Sequence, residues 1–222
     1  METGHEVVLG TGALRTCLRE PIHDLFWASF LLDQAAQAHL IGDYEVASEL
    51  ISQTNTQTIR EYIKSLWGAY NQYNSPTPAA VQRRQAKRPV IDSGLKERMP
   101  PKAICIEVIR RDGYTCRYCG IPVIPKRVRE LLHRLYPEAL PWGRKEIEQH
   151  AAFQALWLQF DHVTPFSNGG SNDSDNIVVC CAGCNFGKAF WGLEDLNLSN
   201  PFERAPIASS WSGLSELIEA PY

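Results

Sequence analysis

No stretch of this 222-residue chain approaches the roughly 20 consecutive apolar residues that span a bilayer. A membrane role is therefore not expected. Residues 1–9 contain Glu2 and Glu6 but no lysine or arginine. They lack the basic and apolar blocks of a secretory leader, so a cytoplasmic protein is expected. No sequence period repeats, and a solenoid needs several units. Disorder is excluded by composition: 44% of residues are hydrophobic and only 21% charged.

The net charge is also small, −3, but it is unevenly spread. Residues 1–62 carry a net −6, residues 63–191 a net +7 and residues 192–222 a net −4. A basic middle between acidic ends points to a polyanionic partner for the middle. A solvated charged face would give the same count, so charge alone decides nothing.

Seven cysteines are present, and four form two Cys-x-x-Cys pairs: Cys116/Cys119 and Cys181/Cys184. In a reducing compartment such pairs bind metal more often than they form disulfides. Two pairs give the four thiolates of a closed tetrahedral zinc site, which holds structure and leaves no position for substrate. Cys180 adjoins Cys181, but neighbours on a strand face opposite ways, so only one can reach the metal. Cys17, Cys105 and Cys180 are expected in the core.

Hydrophobic spacing predicts three helices between residues 21 and 70. The clearest stripe is Ile59, Tyr62, Ile63, Leu66, Trp67 and Tyr70. Residues 71–101 change character. Five prolines interrupt them, and Arg83, Arg84, Lys87, Arg88, Lys96 and Arg98 make them basic. A further helix is predicted over 103–111, then two in the spacer 121–159. Short apolar runs at 160–163 and 177–180 read as strands, and a helix is expected over 185–191. The expected organisation is a helical region at 1–75, a basic Pro-rich linker at 76–101, a unit at 102–200 that holds both cysteine pairs and a tail at 201–222. The fold class is α+β, mainly helical.

Between the cysteine pairs lies Asp161-His162, followed by Thr164-Pro165 and Gly169-Gly170. Asn176 and then Asn185 and Lys188 follow in order. Together with residues 111–120, this run resembles the HNH endonucleases, which have a ββα-metal fold. The resemblance covers about residues 102–192. It implies phosphodiester hydrolysis in DNA, with His162 as the general base. An imidazole suits that role because its pKa lies near neutrality.

The resemblance also implies a divalent cation, Mg²⁺ or Mn²⁺, on Asp161 and Asn185. Many family members carry histidine at the last position. Asparagine offers oxygen, which favours a hard cation. Asn176 is expected to brace the loop behind the histidine. Arg110, Arg111, Arg117 and Lys188 are expected at the nucleic acid, contacting phosphates and giving affinity without base identity. One such site cuts one strand, so a double-strand break needs a homodimer or successive nicks. By analogy, the acidic helical region would dock a regulatory protein, as in effectors of bacterial restriction or anti-phage systems. The competing reading is a zinc-stabilised nucleic-acid-binding module that cuts nothing.

Overall fold

The computed structural model describes residues 14–67, 72–73, 75–86 and 97–218. Tyr70, Lys87, Arg88 and Lys96 lie outside the described residues, as do Glu2 and Glu6. Among the described residues, no helix is long and apolar enough to cross a membrane. The fold is α+β and mainly helical, with one two-stranded antiparallel sheet.

The N-terminal part is three helices: α1 (His23–Leu40), α2 (Tyr44–Gln53) and α3 (Gln57–Leu66). Leu25, Ala28, Leu32 and Ala35 form the buried stripe of α1. Gly42 ends that helix at φ +86°, a conformation that costs glycine little. Asp43 then caps α2 by accepting from the Val46 amide, and Thr56 caps α3 by accepting from the Ile59 amide. Such caps explain where α2 and α3 begin, but α3 stops at Leu66, so Trp67 of the expected stripe is its extended C-cap residue.

Two short helices come next. α4 (Pro78–Ala86) lies inside the stretch expected to be irregular. Pro78 is its first residue, the one helical position where a missing N–H costs nothing. Arg83 pairs with Asp195 at 2.7 Å, and Arg84 stacks on Phe190 at 3.4 Å. Both cations are therefore engaged by the protein itself. α5 (Lys102–Asp112) leads into the first cysteine turn.

The spacer holds α6 (Lys126–Leu135), a 3₁₀ turn at Glu146–Glu148 and α7 (Ala151–Ala155). β1 (Leu158–His162) pairs with β2 (Ile177–Cys181), so that Asp161 lies opposite Val178 and His162 opposite Ile177. α8 (Ala182–Lys188) follows β2 without a break. The spacer, hairpin and closing helix expected from the sequence are thus present, with α8 starting three residues early.

One hydrophobic cluster runs from Cys17 to Leu214 and includes residues of α1, α2, α3, α5, α7 and both strands. Arg60 of α3 reinforces this union. It is 7% exposed and donates to the carbonyls of Glu146 and Gln149 at 3.1 and 3.0 Å. α3 also packs directly on α8. A Cβ at Gly183 would lie 2.9 Å from Leu66 Cδ1, and one at Gly187 only 2.6 Å from Leu18 Cδ1 and 3.0 Å from the Leu66 carbonyl oxygen. Glycines four residues apart on α8 let the helices approach this closely.

Gly187→Val should therefore destabilise the fold by about 1–3 kcal/mol through overpacking. Urea unfolding should show a lower midpoint at an unchanged slope. An unchanged midpoint would mean that the two helices do not meet there.

Candidate functional site

Cys116 and Cys119 stand on a tight turn after α5. The turn is closed by the Cys116 amide donating to Ile121 and the Gly120 amide donating to Cys116. Cys181 ends β2 and Cys184 lies in the first turn of α8. The Cys181 sulfur accepts from the Cys184 amide at 3.4 Å. All four sulfurs lie within 4.8 Å of one another, and all seven cysteines are free thiols. Cys119 and Cys181 are 3.7 Å apart. A disulfide would need about 2 Å, whereas a tetrahedron with metal–sulfur bonds of about 2.3 Å has edges of about 3.8 Å. The donor set therefore fits a closed tetrahedral zinc ion. Proton sharing with Cys116, and burial, push the Cys119 and Cys184 thiols up. Thiolates there need a cation to balance them. Cys180 faces away and donates to the Gln159 carbonyl at 3.7 Å.

Asp161 lies on the face of β1 that meets α8, and it is 4% exposed. Its carboxylate accepts from the Tyr118 hydroxyl at 2.7 Å and pairs with Lys188 Nζ at 3.1 Å. Burial first, and then the Asp161 charge, hold the Tyr118 hydroxyl protonated far above its ordinary range. It is a permanent donor. Lys188 also donates to the His162 carbonyl at 2.8 Å. Asn185, one turn before Lys188, donates to the Gln159 side-chain oxygen at 3.3 Å. Gln159 and Asp161 share a strand face because they are two residues apart. The corner between β1 and α8 thus offers one carboxylate and two carboxamides, with an ammonium already beside the carboxylate.

His162 ends β1, half-buried, with Phe166 against its ring at 5.8 Å. Its Nε2 meets Asn172 Oδ1 at 2.7 Å. Asn176 ties the loop between the strands. Its oxygen accepts from the Thr164 amide at 2.8 Å, and its Nδ2 donates to the carbonyls of Thr164 and Ser171 at 3.1 and 2.9 Å. Gly170 is required inside this loop, since a Cβ there would fall 1.8 Å from the Thr164 carbonyl oxygen.

Two of the four residues expected at nucleic acid, Lys188 and Arg117, are corrected because they are buried, while Arg111 is only partly covered. Lys188 is 1% exposed, and its charge is spent on Asp161. Arg117 is 7% exposed. It donates to the carbonyls of Pro201 and Arg204 and lies 3.5 Å from Asp112. Arg111 grips the Asp112 carboxylate through two bonds of 2.7 Å and donates to the carbonyls of Ser174 and Ile177. Asp112, 1% exposed, also accepts from the Val179 amide at 3.0 Å. This buried cluster fastens α5 to β2. Arg110 is exposed and remains open to solvent. Sequence reasoning missed Tyr118, Gln159 and Asn172. The alternation of β1 could have flagged Gln159, but nothing local marks the other two.

Lys188→Met should leave the buried Asp161 charge unpaired and cost about 3–5 kcal/mol of stability. Chemical denaturation reads this directly. A variant as stable as the parent would contradict the buried pair and restore Lys188 as a surface cation.

Residues 150–189 match the family model described as HNH endonuclease. A search of curated proteins gave no match, and a search of solved structures gave none. The match begins at the buried His150, spans α7, both strands and α8, and takes in two of the four clustered cysteines. Residues 150–189 are thus similar to the HNH endonucleases, and four cysteines gather at the strand–helix corner of that segment.

Proposed function

We propose that this protein is a metal-dependent endonuclease that hydrolyses phosphodiester bonds in DNA. The supporting observation is the placement of three side chains. Asp161 and His162 stand at the end of β1, and Asn185 stands on α8, which packs against that strand. His162 takes a proton from the attacking water. The water oxygen bonds to phosphorus as the bond to the leaving 3′ oxygen breaks, and that oxygen takes a proton from solvent water. By the family resemblance the products carry a 3′-hydroxyl and a 5′-phosphate. Asp161 and Asn185 supply the oxygen donors for Mg²⁺ or Mn²⁺, which suit a hard cation. When bound, the cation neutralises charge on the phosphate and the leaving oxygen. Lys188 balances Asp161 beforehand, so the cation must share that carboxylate with an ammonium. Binding weaker than at an unpaired carboxylate follows. Zinc on Cys116, Cys119, Cys181 and Cys184 holds the strand–helix corner.

The surroundings are part of the same proposal. Arg110 contacts phosphate. The helical region 1–75, the connector 76–101, the nuclease part 102–200 and the tail 201–222 divide the chain. Phe26, Trp27 and Phe30 stand exposed on α1 and support the docking of a regulatory protein. An effector role in bacterial restriction or anti-phage defence accords with such a partner. Two copies, or two successive nicks, would break both strands.

A second reading is favoured by one observation. The Asp161–Lys188 pair leaves no surplus negative charge for a cation, as a zinc-stabilised binding module would require. The two readings separate in one assay. The first predicts that the protein nicks supercoiled plasmid in Mg²⁺ and stops when the metal is chelated. Binding without nicking supports the second.

His162→Ala should lower the nicking rate by about 10²–10⁴-fold, the usual contribution of a general base. Zinc content and unfolding midpoint should stay at the parent's values. Nicking at the parent's rate would remove His162 from the reaction. Cys116→Ser should lose the bound zinc, read by elemental analysis, and unfold at lower temperature. Retention of one zinc per chain would place the metal elsewhere.

A further inference from the structure

The hydrogen bonds around His162 form a chain of three groups with only one consistent direction. The Glu97 carbonyl oxygen can only accept, and Asn172 Nδ2 lies 2.9 Å from it. That contact turns the Asn172 amide so that Oδ1 faces the ring. Oδ1 also can only accept, and His162 Nε2 lies 2.7 Å away. Nε2 must therefore carry the proton. In the neutral ring the lone pair is left on Nδ1.

We infer that Asn172 is the positioning residue of the catalytic base, selecting the His162 tautomer whose Nδ1 accepts the proton from water. The inference rests on the reading of His162 as base given above. Asn172 touches no reacting atom and acts only through the imidazole. Its own position is held from both sides. Asn176 binds the carbonyl of the preceding residue, Ser171, at 2.9 Å. Ser174 donates to Glu107 of α5 at 2.5 Å. Glu97 lies far from Asn172 in sequence, just before Pro100 and Pro101, whose rings fix φ where the chain enters α5. The direction of the Asn172 amide thus depends on residues that precede the nuclease helices.

Two substitutions separate positioning from bulk structure. Asn172→Asp keeps an acceptor for Nε2–H. Asn172→Leu keeps none. Both are compared with the parent at a pH where the imidazole is neutral, in plasmid nicking and in ¹⁵N NMR of histidine-labelled full-length protein. The His162 signals are assigned by their loss in His162→Ala. The parent should show the Nε2–H tautomer. Asn172→Leu should show mixed tautomers and a kcat lower by about 10- to 100-fold at a KM near the parent's, the scale seen when outer partners of functional histidines are removed. Asn172→Asp should keep the Nε2–H tautomer and most of kcat.

Parent-like kcat and tautomer in Asn172→Leu would overturn the inference, while an inactive His162→Ala would leave the base assignment standing. Parent-like nicking by His162→Ala would overturn the base assignment and, with it, this inference. Should Asn172→Leu fail to fold, Asn172→Asp decides alone. Its ring shifting to Nδ1–H, or its kcat falling as far as that of His162→Ala, would refute the role.

Discussion

Four sulfurs from two turns distant in the chain, gathered within 4.8 Å, fix where β2 stops and α8 starts. That junction sets the rest of the site. Cys181, Cys184, Asn185 and Lys188 follow the i, i+3, i+4, i+7 spacing of one helix face. Once the cysteines are gathered, Asn185 and Lys188 must face β1, and they meet Gln159 and Asp161 there. A seven-residue helix would not hold such a direction unaided, since isolated helices this short are unstable in water. A metal held by four thiolates would supply what a small ββα unit cannot draw from its own core.

The opposite side of α8 is equally constrained. Gly183 and Gly187 admit Leu66 and Leu18, so the N-terminal segment forms the wall behind the β1–α8 corner. Arg60 ties α3 to the turn before α7, and the Asp112 cluster ties α5 to β2. These are buried charges paired with an opposite charge or with several carbonyl acceptors, the condition under which burial of a charge is tolerated, although Arg117 Nε meets Asp112 only at 3.5 Å. The basic surplus of the middle segment is accordingly smaller at the surface than in the sequence. Arg117, Arg129 and Lys188 lie inside, and Arg83 and Arg84 are held by the residues after α8.

The parts of this arrangement legible in the sequence were those with local signatures. Paired cysteines, the Asp-His step, the loop glycines and the strand-length apolar runs each carry their geometry in their spacing. The direction of charged side chains was not legible. Lys188 reads as a phosphate-contacting helix lysine until Asp161, 27 residues away, is seen beneath it. Arg117 sits between cysteines in a turn, where exposure is the ordinary expectation. Its interior position comes from Asp112 and from the carbonyls of Pro201 and Arg204, which no pattern near residue 117 announces. Asn172 lies in a polar loop rich in equivalent side chains, and only the approach of Glu97 distinguishes it. Proline placement misled in the opposite direction, because Pro78 begins a helix and breaks nothing.

The account turns on whether the corner between β1 and α8 receives a cation although Lys188 already neutralises its carboxylate. Anomalous diffraction from crystals soaked in Mn²⁺ addresses this most directly. The account predicts a manganese peak within about 2.5 Å of oxygens of both Asp161 and Asn185, separate from a zinc peak among the four sulfurs. A fully occupied Lys188–Asp161 pair with no manganese peak, in crystals that bind zinc, would contradict it.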